Sequence, residues 1–468
     1  MRLGIRNLAI GATALVSLFC GSGFADAMSM KDAVALAVES NPEIGEAIAN
    51  RAGIEFELEQ GRGLYRPRID LEGSIGGEIR DSATTRANND EDHLFLRREA
   101  SVVIRQTLFD GFGTRGEIER QASRVDGAAL RVRERSEFIA LAVIREYLEM
   151  ARTSRIIGLA KENIGYHQKI LGEISQGAGD GAISVSDRQQ AQERVYAAKA
   201  RLEEVVEELK ASQAAFIRLV GEPIGKMSPP INARNLIPKS LNSAIAMARV
   251  NHPSIKFAEA DIDAAAALVK VAESKMYPKV TLEGRASAAE DVSGIRGFDG
   301  DLQANVVVDW NIYNGGIDAA NKQEQIRHVD EEYHKLHRIS REVEEGVRLS
   351  WDRHMQQTRR LQELLREMSA IDQLRGSYAE QFKIGERSLL DLLDTQNTRF
   401  SVQVAIATSD AAVKFGHFRV LASTGKLLQT IGVAAPVEAD TYARKDANVP
   451  ETPSPDSFDR VDPPSPLE

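Results

Sequence analysis

The stretch from residue 69 to residue 79, IDLEGSIGGEI, alternates between two kinds of side chain. The odd positions hold isoleucine, leucine and glycine, and the even positions hold aspartate, glutamate, serine and glycine. Successive side chains of a β-strand point to opposite faces, so the pattern predicts a strand with one apolar and one charged face. A tilted strand crosses a bilayer with about 9–11 residues, which matches the length of this stretch.

Three further stretches share this character, which gives predicted strands at about 68–79, 99–110, 279–289 and 301–313. The connectors 80–93 and 289–300 are polar and offer no apolar cover on which a sheet could pack. Aromatic residues stand at strand ends, as they do at membrane interfaces; these are Phe109, Tyr277, Trp310 and Tyr313. A soluble antiparallel sheet with one wet face would show the same alternation, but the loops and the aromatic ends favour a membrane.

Four strands cannot close a barrel, because about eight is the practical minimum and lipid tolerates no open sheet edge. The chain is therefore predicted to oligomerise, and three chains would supply twelve strands around a water-filled lumen. The polar positions of the strands are expected to line that lumen, among them Asp70, Glu72, Glu283 and Asp309.

The chain is an internal duplication. Residues 33–37 and the Asn-Pro-Glu-Ile that follows match residues 244–248 and a following Pro-Ser-Ile at an offset of 211. From Val102 onward the matching positions, including Asp187 with Asp391, are offset by 204, so the first half carries seven extra residues at about 80–98. We assign the first repeat to 28–222, a connector to 223–239 and the second repeat to 240–430.

Long helices follow the strands of each repeat. Proline is absent between residues 68 and 222 and between 279 and 435, and a proline costs about 3 kcal/mol inside a helix. Helices are predicted at about 114–177, 184–220, 317–383 and 388–425, the longest of them on the order of 95 Å at 1.5 Å per residue. Their apolar stripes predict antiparallel coiled-coil hairpins, which would continue the barrel as a helical tube.

The two ends differ from the body of the chain. Arg2 and Arg6, an apolar stretch from 8 to 19 and Ala-Asp-Ala at 25–27 predict a signal peptide over residues 1–27. Lipidation at Cys20 is disfavoured because Phe19 stands where a small residue is required. Residues 431–468 are acidic and rich in proline and serine, and they predict a disordered tail.

Composition and motifs limit the chemistry. The 43% apolar and 27% charged content excludes a disordered chain, and the net charge of −10 argues against nucleic acid as a partner. Residues 111–116 spell G-x-G-x-x-G, but no βαβ unit follows, so a strand-to-helix turn explains them better than a dinucleotide site. His334 and His337 share a helix face and could hold a metal, although a solvated face is the simpler interpretation. No catalytic motif is visible, so neither an enzyme nor a cofactor is expected.

The run GERSLLDLLD, residues 385–394, places Arg387, Asp391 and Asp394 on one helix face and leucines on another. This could be an ordinary surface ion pair worth a few tenths of a kcal/mol. In a closed trimer, however, the two aspartates would repeat in each chain and form an acidic ring that attracts cations.

With these residues the sequence resembles the TolC family of outer-membrane efflux and secretion channels over about residues 28–430. The shared features are the duplicated plan, the prolines ahead of the first strand of each repeat, and the Gly-x-Arg-Ser-x-x-Asp-x-x-Asp run. The resemblance implies a mixed α+β membrane protein: a homotrimeric, twelve-stranded outer-membrane β-barrel continued by a long periplasmic α-helical barrel. It implies that Asp391 and Asp394 form the entrance rings.

The resemblance further implies an entrance latch. Arg387 matches an arginine that pairs across helices with an acidic residue, here Asp187 beside Ser186. Phe382 departs from the family pattern, which has a tyrosine at that place; one latch hydrogen bond, worth about 0.5–1.5 kcal/mol, would then be missing. Tyr378, one turn earlier, is a candidate substitute.

The expected function is a passive outer-membrane exit channel of a tripartite efflux or type I secretion system. It would be gated at the periplasmic tip by a docked adaptor protein and an inner-membrane transporter of the ABC or RND type. Drug efflux and protein secretion are not separated by the sequence. The alternative is a soluble periplasmic coiled-coil adaptor or scaffold, which would share the hairpins but would not need strands with apolar faces.

Overall fold

The computed structural model describes residues 27–179 and 184–453, with the side chains of 177–179 left aside. Cys20 and all but the last residue of the expected signal peptide lie outside the described residues. So do residues 180–183 of the turn between the first two long helices, and residues 454–468 of the expected tail.

Each repeat runs helix, helix, strand, strand, long helix, long helix. The elements of the first repeat are α1 Met30–Ser40, α2 Pro42–Gly63, β1 Arg68–Glu78, α3 Ala83–Ala87, β2 Phe95–Phe109, α4 Gly113–Gly179 and α5 Val185–Val220. Those of the second are α6 Leu241–Asn251, α7 Pro253–Ser274, β3 Lys279–Glu290, β4 Phe298–Asp309, α8 Ile317–Lys383 and α9 Leu389–Ser423. The short helix α3 has no counterpart in the second repeat and lies where the extra residues of the first were expected.

The four strands form one antiparallel sheet in the order β1-β2-β3-β4. The register aligns the apolar positions in rows across all four strands. Leu71 is opposite Val102, Val102 is opposite Ala286, and Ala286 is opposite Leu302. The alternation seen in each strand therefore becomes one continuous apolar face and one continuous polar face, because side chains alternate with period two.

Helices α4 and α8 have 67 residues each, which corresponds to about 100 Å of helix. Helix α4 packs along α5 and α8 packs along α9, so each repeat contributes one antiparallel hairpin; α4 also packs on α9 and joins the two. The shorter helices α2 and α7 pack against the strand-proximal parts of α4 and α8. This gives the mixed α+β architecture expected from the sequence.

The largest apolar core lies partway along the hairpins, where α1 packs against α4 and α5. Tyr147 of α4 is fully buried there, and its hydroxyl donates to the carbonyl oxygens of Met28 at 2.9 Å and Ser228 at 2.6 Å. The beginning of the described chain and the connector between the repeats are thus fixed to the middle of the first hairpin.

The segment after α9 is ordered, so the prediction of a disordered tail was wrong for residues 431–453. It contains α10 Leu427–Ile431, a 3₁₀ turn at Val437–Ala439 and α11 Ala443–Asp446. Asp126 of α4 accepts the backbone N–H groups of Tyr442, Ala443 and Arg444 at 2.8–3.2 Å and so caps α11 from another helix.

The same segment links the two repeats. The Arg444 guanidinium donates to Asp126 at 3.0 Å and to Asp263 of α7 at 2.7 Å, and Tyr333 of α8 donates to the Pro453 carbonyl at 2.9 Å. The composition predicted disorder because the segment has few large apolar side chains. It is held instead by polar bonds to carboxylates that lie more than a hundred residues away in sequence.

Glu137 of α4 anchors the start of this segment and gives it an expected pH dependence. The buried carboxylate accepts the N–H groups of Leu427 at 3.0 Å and Leu428 at 3.3 Å, and burial raises the pKa of Glu137 to about 7. Because the pKa of Glu137 is higher in the folded than in the unfolded protein, its protonated form adds to the free energy of unfolding at low pH. This contribution is lost as pH rises through about 7.

We therefore expect the amides of Leu427 and Leu428 to lose hydrogen-exchange protection between about pH 5 and pH 8. Glu137→Gln should flatten this dependence, whereas Glu134→Gln, at an exposed position one turn earlier, should leave it unchanged. Equal pH profiles for wild type and Glu137→Gln would contradict the assignment.

Candidate functional site

The polar face of the sheet brings two of the expected lumen residues together through an arginine. Arg105 of β2 contacts Asp70 of β1 at 3.2 Å and Glu283 of β3 at 3.2 Å. Arg68 adds a second contact to Asp70 at 2.9 Å. Ion pairs across neighbouring strands on one face stabilise the sheet and its register. Arg105 was missed from sequence, although it occupies a polar position in the alternation of its strand.

The other two expected lumen residues lie elsewhere on the sheet. Glu72 is opposite Ser101 in the β1–β2 register, and Asp309 is opposite Lys279 at the helix-proximal end of β3 and β4. Trp310 lies just beyond this end, where its indole N–H donates to the Met276 carbonyl at 3.1 Å.

The opposite face of the sheet is apolar and uncovered. Leu71 is 78% exposed, Ile75 73% and Leu302 84%, and neighbouring apolar positions of β1 and β4 are similarly exposed. Soluble monomers rarely expose apolar patches of this extent. Such a face is typical of a surface that contacts a membrane or another protein.

At the far end of the hairpins, the turn from α8 to α9 is organised by Ser388. Its hydroxyl accepts the N–H of Asp391 at 3.2 Å and donates to the Asp391 carboxylate at 2.9 Å, which forms a capping box at the start of α9. The first repeat has one of these two bonds, because Ser184 accepts the N–H of Asp187 at 3.2 Å at the start of α5. Asp187 and Asp391 are thus equivalent first-turn carboxylates of the two hairpins.

Within the described part of the single chain, Arg387 forms its contacts in its own hairpin, and the pairing with Asp187 across helices of the trimer stays a prediction. Its Nε donates to Gln381 at 3.0 Å, its Nη1 lies 3.8 Å from Asp391, and its guanidinium carbon lies 4.5 Å from the centre of the Tyr378 ring. Asp391 is closer because it is only one turn away on the same hairpin. Tyr378 contacts Arg387 by a cation–π interaction.

The remaining expected latch residues have structural contacts of their own. Ser186 lies beside the α5 cap, its hydroxyl 2.5 Å from that of Ser184. Phe382 packs against a buried cluster in which all three neighbouring helices take part. The cluster consists of Ile170 and Ile174 of α4, Ala191 of α5, and Leu389, Leu392 and Leu393 of α9.

Asp394 has a partner that the sequence did not indicate. Its Oδ1 lies 3.0 Å from Nη2 of Arg194 on α5, so the contact joins the first hairpin to the second. Arg194 was missed because it belongs to a long helix rich in charged residues, and nothing in its local pattern distinguishes it.

The two motifs left open by the sequence have structural explanations. In the G-x-G-x-x-G run, Asp110 accepts the N–H of Thr114 at 2.7 Å, and the run forms a strand-to-helix turn after a strand whose sheet partners are both antiparallel. His334 and His337 are exposed, and the residues that the structure describes contain no group of three or more potential metal ligands. Within the same residues, no helix is long and apolar enough to span a membrane.

The sheet with its exposed apolar face, joined to two helical hairpins that each contain a 67-residue helix, defines the class of outer-membrane channel proteins. The chain belongs to the outer membrane efflux protein family, whose sequence profile matches residues 33–222 and 244–416. The two matched segments correspond to the two repeats. The resemblance to the TolC family and the outer-membrane location are confirmed by this match.

Two relatives support the family assignment, and a solved structure has the same fold. The chain is 23% identical over 384 residues to the outer membrane efflux protein BepC of Brucella suis biovar 1 (strain 1330), covering 81% of this chain and 82% of BepC. It is 24% identical over 440 residues to nodulation protein T of Rhizobium leguminosarum biovar viciae, covering 90% and 87%. The structure of CusC superposes with a TM-score of 0.75 at 15% identity, covering 89% of this chain and 96% of CusC.

Proposed function

We propose that three copies of this chain form a passive exit channel from the periplasm to the exterior, as part of a tripartite efflux or type I secretion system. One observation carries the proposal: the four-stranded sheet has an exposed apolar face, and the outer sides of its edge strands β1 and β4 are unpaired among the described residues. Three sheets joined edge to edge would make a closed barrel of twelve strands. In a closed barrel the backbone N–H and C=O groups of every strand edge are hydrogen-bonded.

The helical hairpins would continue this barrel into the periplasm. Helices of about 100 Å extend far beyond the thickness of a bilayer, about 30 Å for its hydrocarbon core. We propose that their far ends meet a periplasmic adaptor and an inner-membrane transporter of the ABC or RND type, which supply the energy. The proposed channel itself performs no chemical step. Drugs and proteins are both candidate cargoes, since both could pass through the same tube.

Membrane fractionation and the molecular mass of the purified protein test the assignment to the outer membrane. The protein should require detergent for extraction from outer membranes and should have the mass of three chains after correction for bound detergent. A soluble periplasmic adaptor or scaffold, the alternative for such hairpins, would appear in the soluble fraction. Recovery of a soluble monomer would therefore contradict the proposal.

We further propose that the end of the hairpins near Ser388 is the periplasmic entrance and that Asp391 and Asp394 attract cations there. The double substitution Asp391→Asn with Asp394→Asn should lower the preference for cations over anions, because up to six acidic groups would be removed from one aperture. Asparagine keeps an acceptor oxygen for the Ser388 hydroxyl, so the helix cap should persist. The measurement is the reversal potential in a salt gradient across a planar bilayer.

A matched control for this experiment is Glu363→Gln, which removes a charge from α8 about 30 Å from its end, at 1.5 Å per residue. Its reversal potential should equal that of the wild type. If the double aspartate variant also kept the wild-type value, these residues would not form the selective aperture. We further propose that Arg387 pairs with Asp187 across helices of the trimer and holds the entrance shut, so Arg387→Ser should raise the conductance of the resting channel.

A further inference from the structure

Two histidines form a buried pair in the middle of the second hairpin. His354 of α8 is 7% exposed and His417 of α9 is 4% exposed, and their ring centres lie 4.6 Å apart. An added Cβ at Gly416 would lie 3.0 Å from Nδ1 and 3.2 Å from Cβ of His354, so this glycine allows α9 to approach His354 closely. The two imidazole rings are therefore part of the packing of α8 on α9.

The surroundings of the two rings suit neutral imidazoles. His354 hydrogen-bonds to the backbone of Val413, but Nδ1 of His354 and Nδ1 of His417 are buried and have no hydrogen-bond partner among the described residues. A neutral imidazole has one N–H donor, whereas a protonated imidazole has two. Protonation of either ring would therefore leave a buried N–H group without an acceptor, which destabilises the folded protein.

No carboxylate offsets a positive charge on the pair. Neither ring forms an ion pair with any residue that the structure describes, and Arg234 of the connector repels a charge on His417. Lys414, on α9, contacts Asp410 at 2.9 Å. The charged residues nearest in sequence to the two histidines are Asp352, Arg353, Lys414 and Arg419.

The other helices that pack on α8 and α9 bring charges that are already paired. Helix α6 carries only Arg249, which contacts Glu344 of α8 at 2.8 Å. On α4, the charged residues beside this part of α9 form ion pairs with one another; these are Arg145, Glu146, Glu149 and Arg152. The environment of the histidine pair is therefore neutral to positive.

This environment gives the pair an expected pH dependence. Burial lowers the pKa of His354, and burial together with the charges of His354 and Arg234 lowers the pKa of His417 to about 4. In an unfolded chain the pKa of a histidine is about 6.5. Because the pKa is lower in the folded protein, the neutral pair stabilises the helix contact above about pH 6.5. This contribution is lost as pH falls from about 6.5 toward 4.

The first repeat has no such pair at the equivalent place. At the offset of 204, Met150 corresponds to His354 and Gln213 corresponds to His417. Met150 is fully buried, whereas Gln213 is exposed, and neither side chain titrates. The packing of a hairpin at this level therefore does not require histidine, and acid should act on the second hairpin alone.

We propose that His354 and His417 make the middle of the second hairpin an acid-sensitive contact, in which protonation weakens the packing of α8 on α9. The proposal goes beyond the proposed channel function and does not depend on it. It concerns a local loosening of one hairpin. The expected entrance lies elsewhere, on the order of 40 Å from His354 along α8 at 1.5 Å per residue.

The test is hydrogen exchange of the purified protein in detergent at pH 7 and at pH 5. After correction for the intrinsic effect of pH on exchange, the amides of residues 350–358 and 411–420 should exchange on the order of tenfold faster at pH 5. The amides around Met150 and Gln213 should keep their protection. Equal corrected exchange at the two pH values, or equal acceleration in both hairpins, would overturn the proposal.

Two variants identify the groups that titrate. His354→Met with His417→Leu replaces both rings with apolar side chains of roughly similar size, so the contact should persist and its acceleration by acid should disappear. His337→Gln, at an exposed position of α8, should respond to acid as the wild type does. A double variant that keeps the acid response would also overturn the proposal.

The wild-type comparison of the two hairpins decides the question even if the double variant does not fold, because it needs no substitution. A wild-type protein that shows the acid response but does not conduct would refute the channel function and leave the acid-sensitive contact standing. The failure of one proposal is therefore distinguishable from the failure of the other.

Discussion

Leu302→Arg is expected to prevent stable insertion of the protein into the outer membrane. Leu302 lies in the middle part of β4, is 84% exposed and belongs to the apolar row that runs through Ala286, Val102 and Leu71. An arginine facing lipid near the bilayer midplane costs about 2–4 kcal/mol. A trimer would bear that cost three times, so the folded, membrane-inserted fraction should fall severely.

The control for this substitution is Asn305→Arg on the same strand. Asn305 points to the opposite, polar face, where its partner in the β3–β4 register is Glu283. The same side chain should therefore be tolerated there. The measurement is the fraction of protein that resists urea extraction from membranes and folds into detergent-stable oligomers. Equal behaviour of the two variants would mean that the faces of the sheet do not have different surroundings.

Gly111→Ala is expected to produce the second large effect, a strong loss of folding stability. Gly111 has φ +65°, and an added Cβ would lie 2.6 Å from the Ser274 carbonyl oxygen and 2.7 Å from Tyr277 Cβ. The left-handed conformation costs an alanine about 1–2 kcal/mol, and relief of the overlap costs a further 1–3 kcal/mol, roughly as overpacking does. The turn between β2 and α4 would have to move away from the end of α7.

The duplication supplies the matched control for this position. Gly315 is the equivalent residue of the second repeat, with φ +74°, but apart from its own chain neighbours no described residue lies within 4 Å of the position its Cβ would take. Gly315→Ala should therefore lower the free energy of unfolding only by the cost of the left-handed conformation, about 1–2 kcal/mol. Urea or thermal unfolding in detergent would measure both variants. A smaller loss for Gly111→Ala than for Gly315→Ala would contradict the close packing at the first turn.

The sequence was sufficient for the four strands and the four long helices because their signals are local. Alternation with period two marked residues 68–78 as a strand, and the long proline-free intervals allowed the 67-residue helices. Element ends were less certain. Strand β2 begins at Phe95 rather than at about 99, since the backbone of residues 95–98 pairs with that of residues 75–78 in β1.

The contacts between distant parts of the chain were not predictable in the same way. Arg105, Arg194 and Asp126 each act through a partner at least 35 residues away, and no local pattern identifies such a pair. The order of residues 431–453 was missed for this reason, because the segment is fixed by carboxylates of α4 and α7. The expected pairing of Arg387 with Asp187 stays a prediction for the trimer, since the single chain shows only the contact of Arg387 with Asp391 in its own hairpin.

The central claim, that three chains make an open-ended channel across the outer membrane, is tested most directly by single-channel recording of the purified protein in planar lipid bilayers. We predict discrete conductance steps from a trimeric preparation, with a preference for cations. A monodisperse protein that stays monomeric without detergent and adds no conductance to the bilayer would contradict the account.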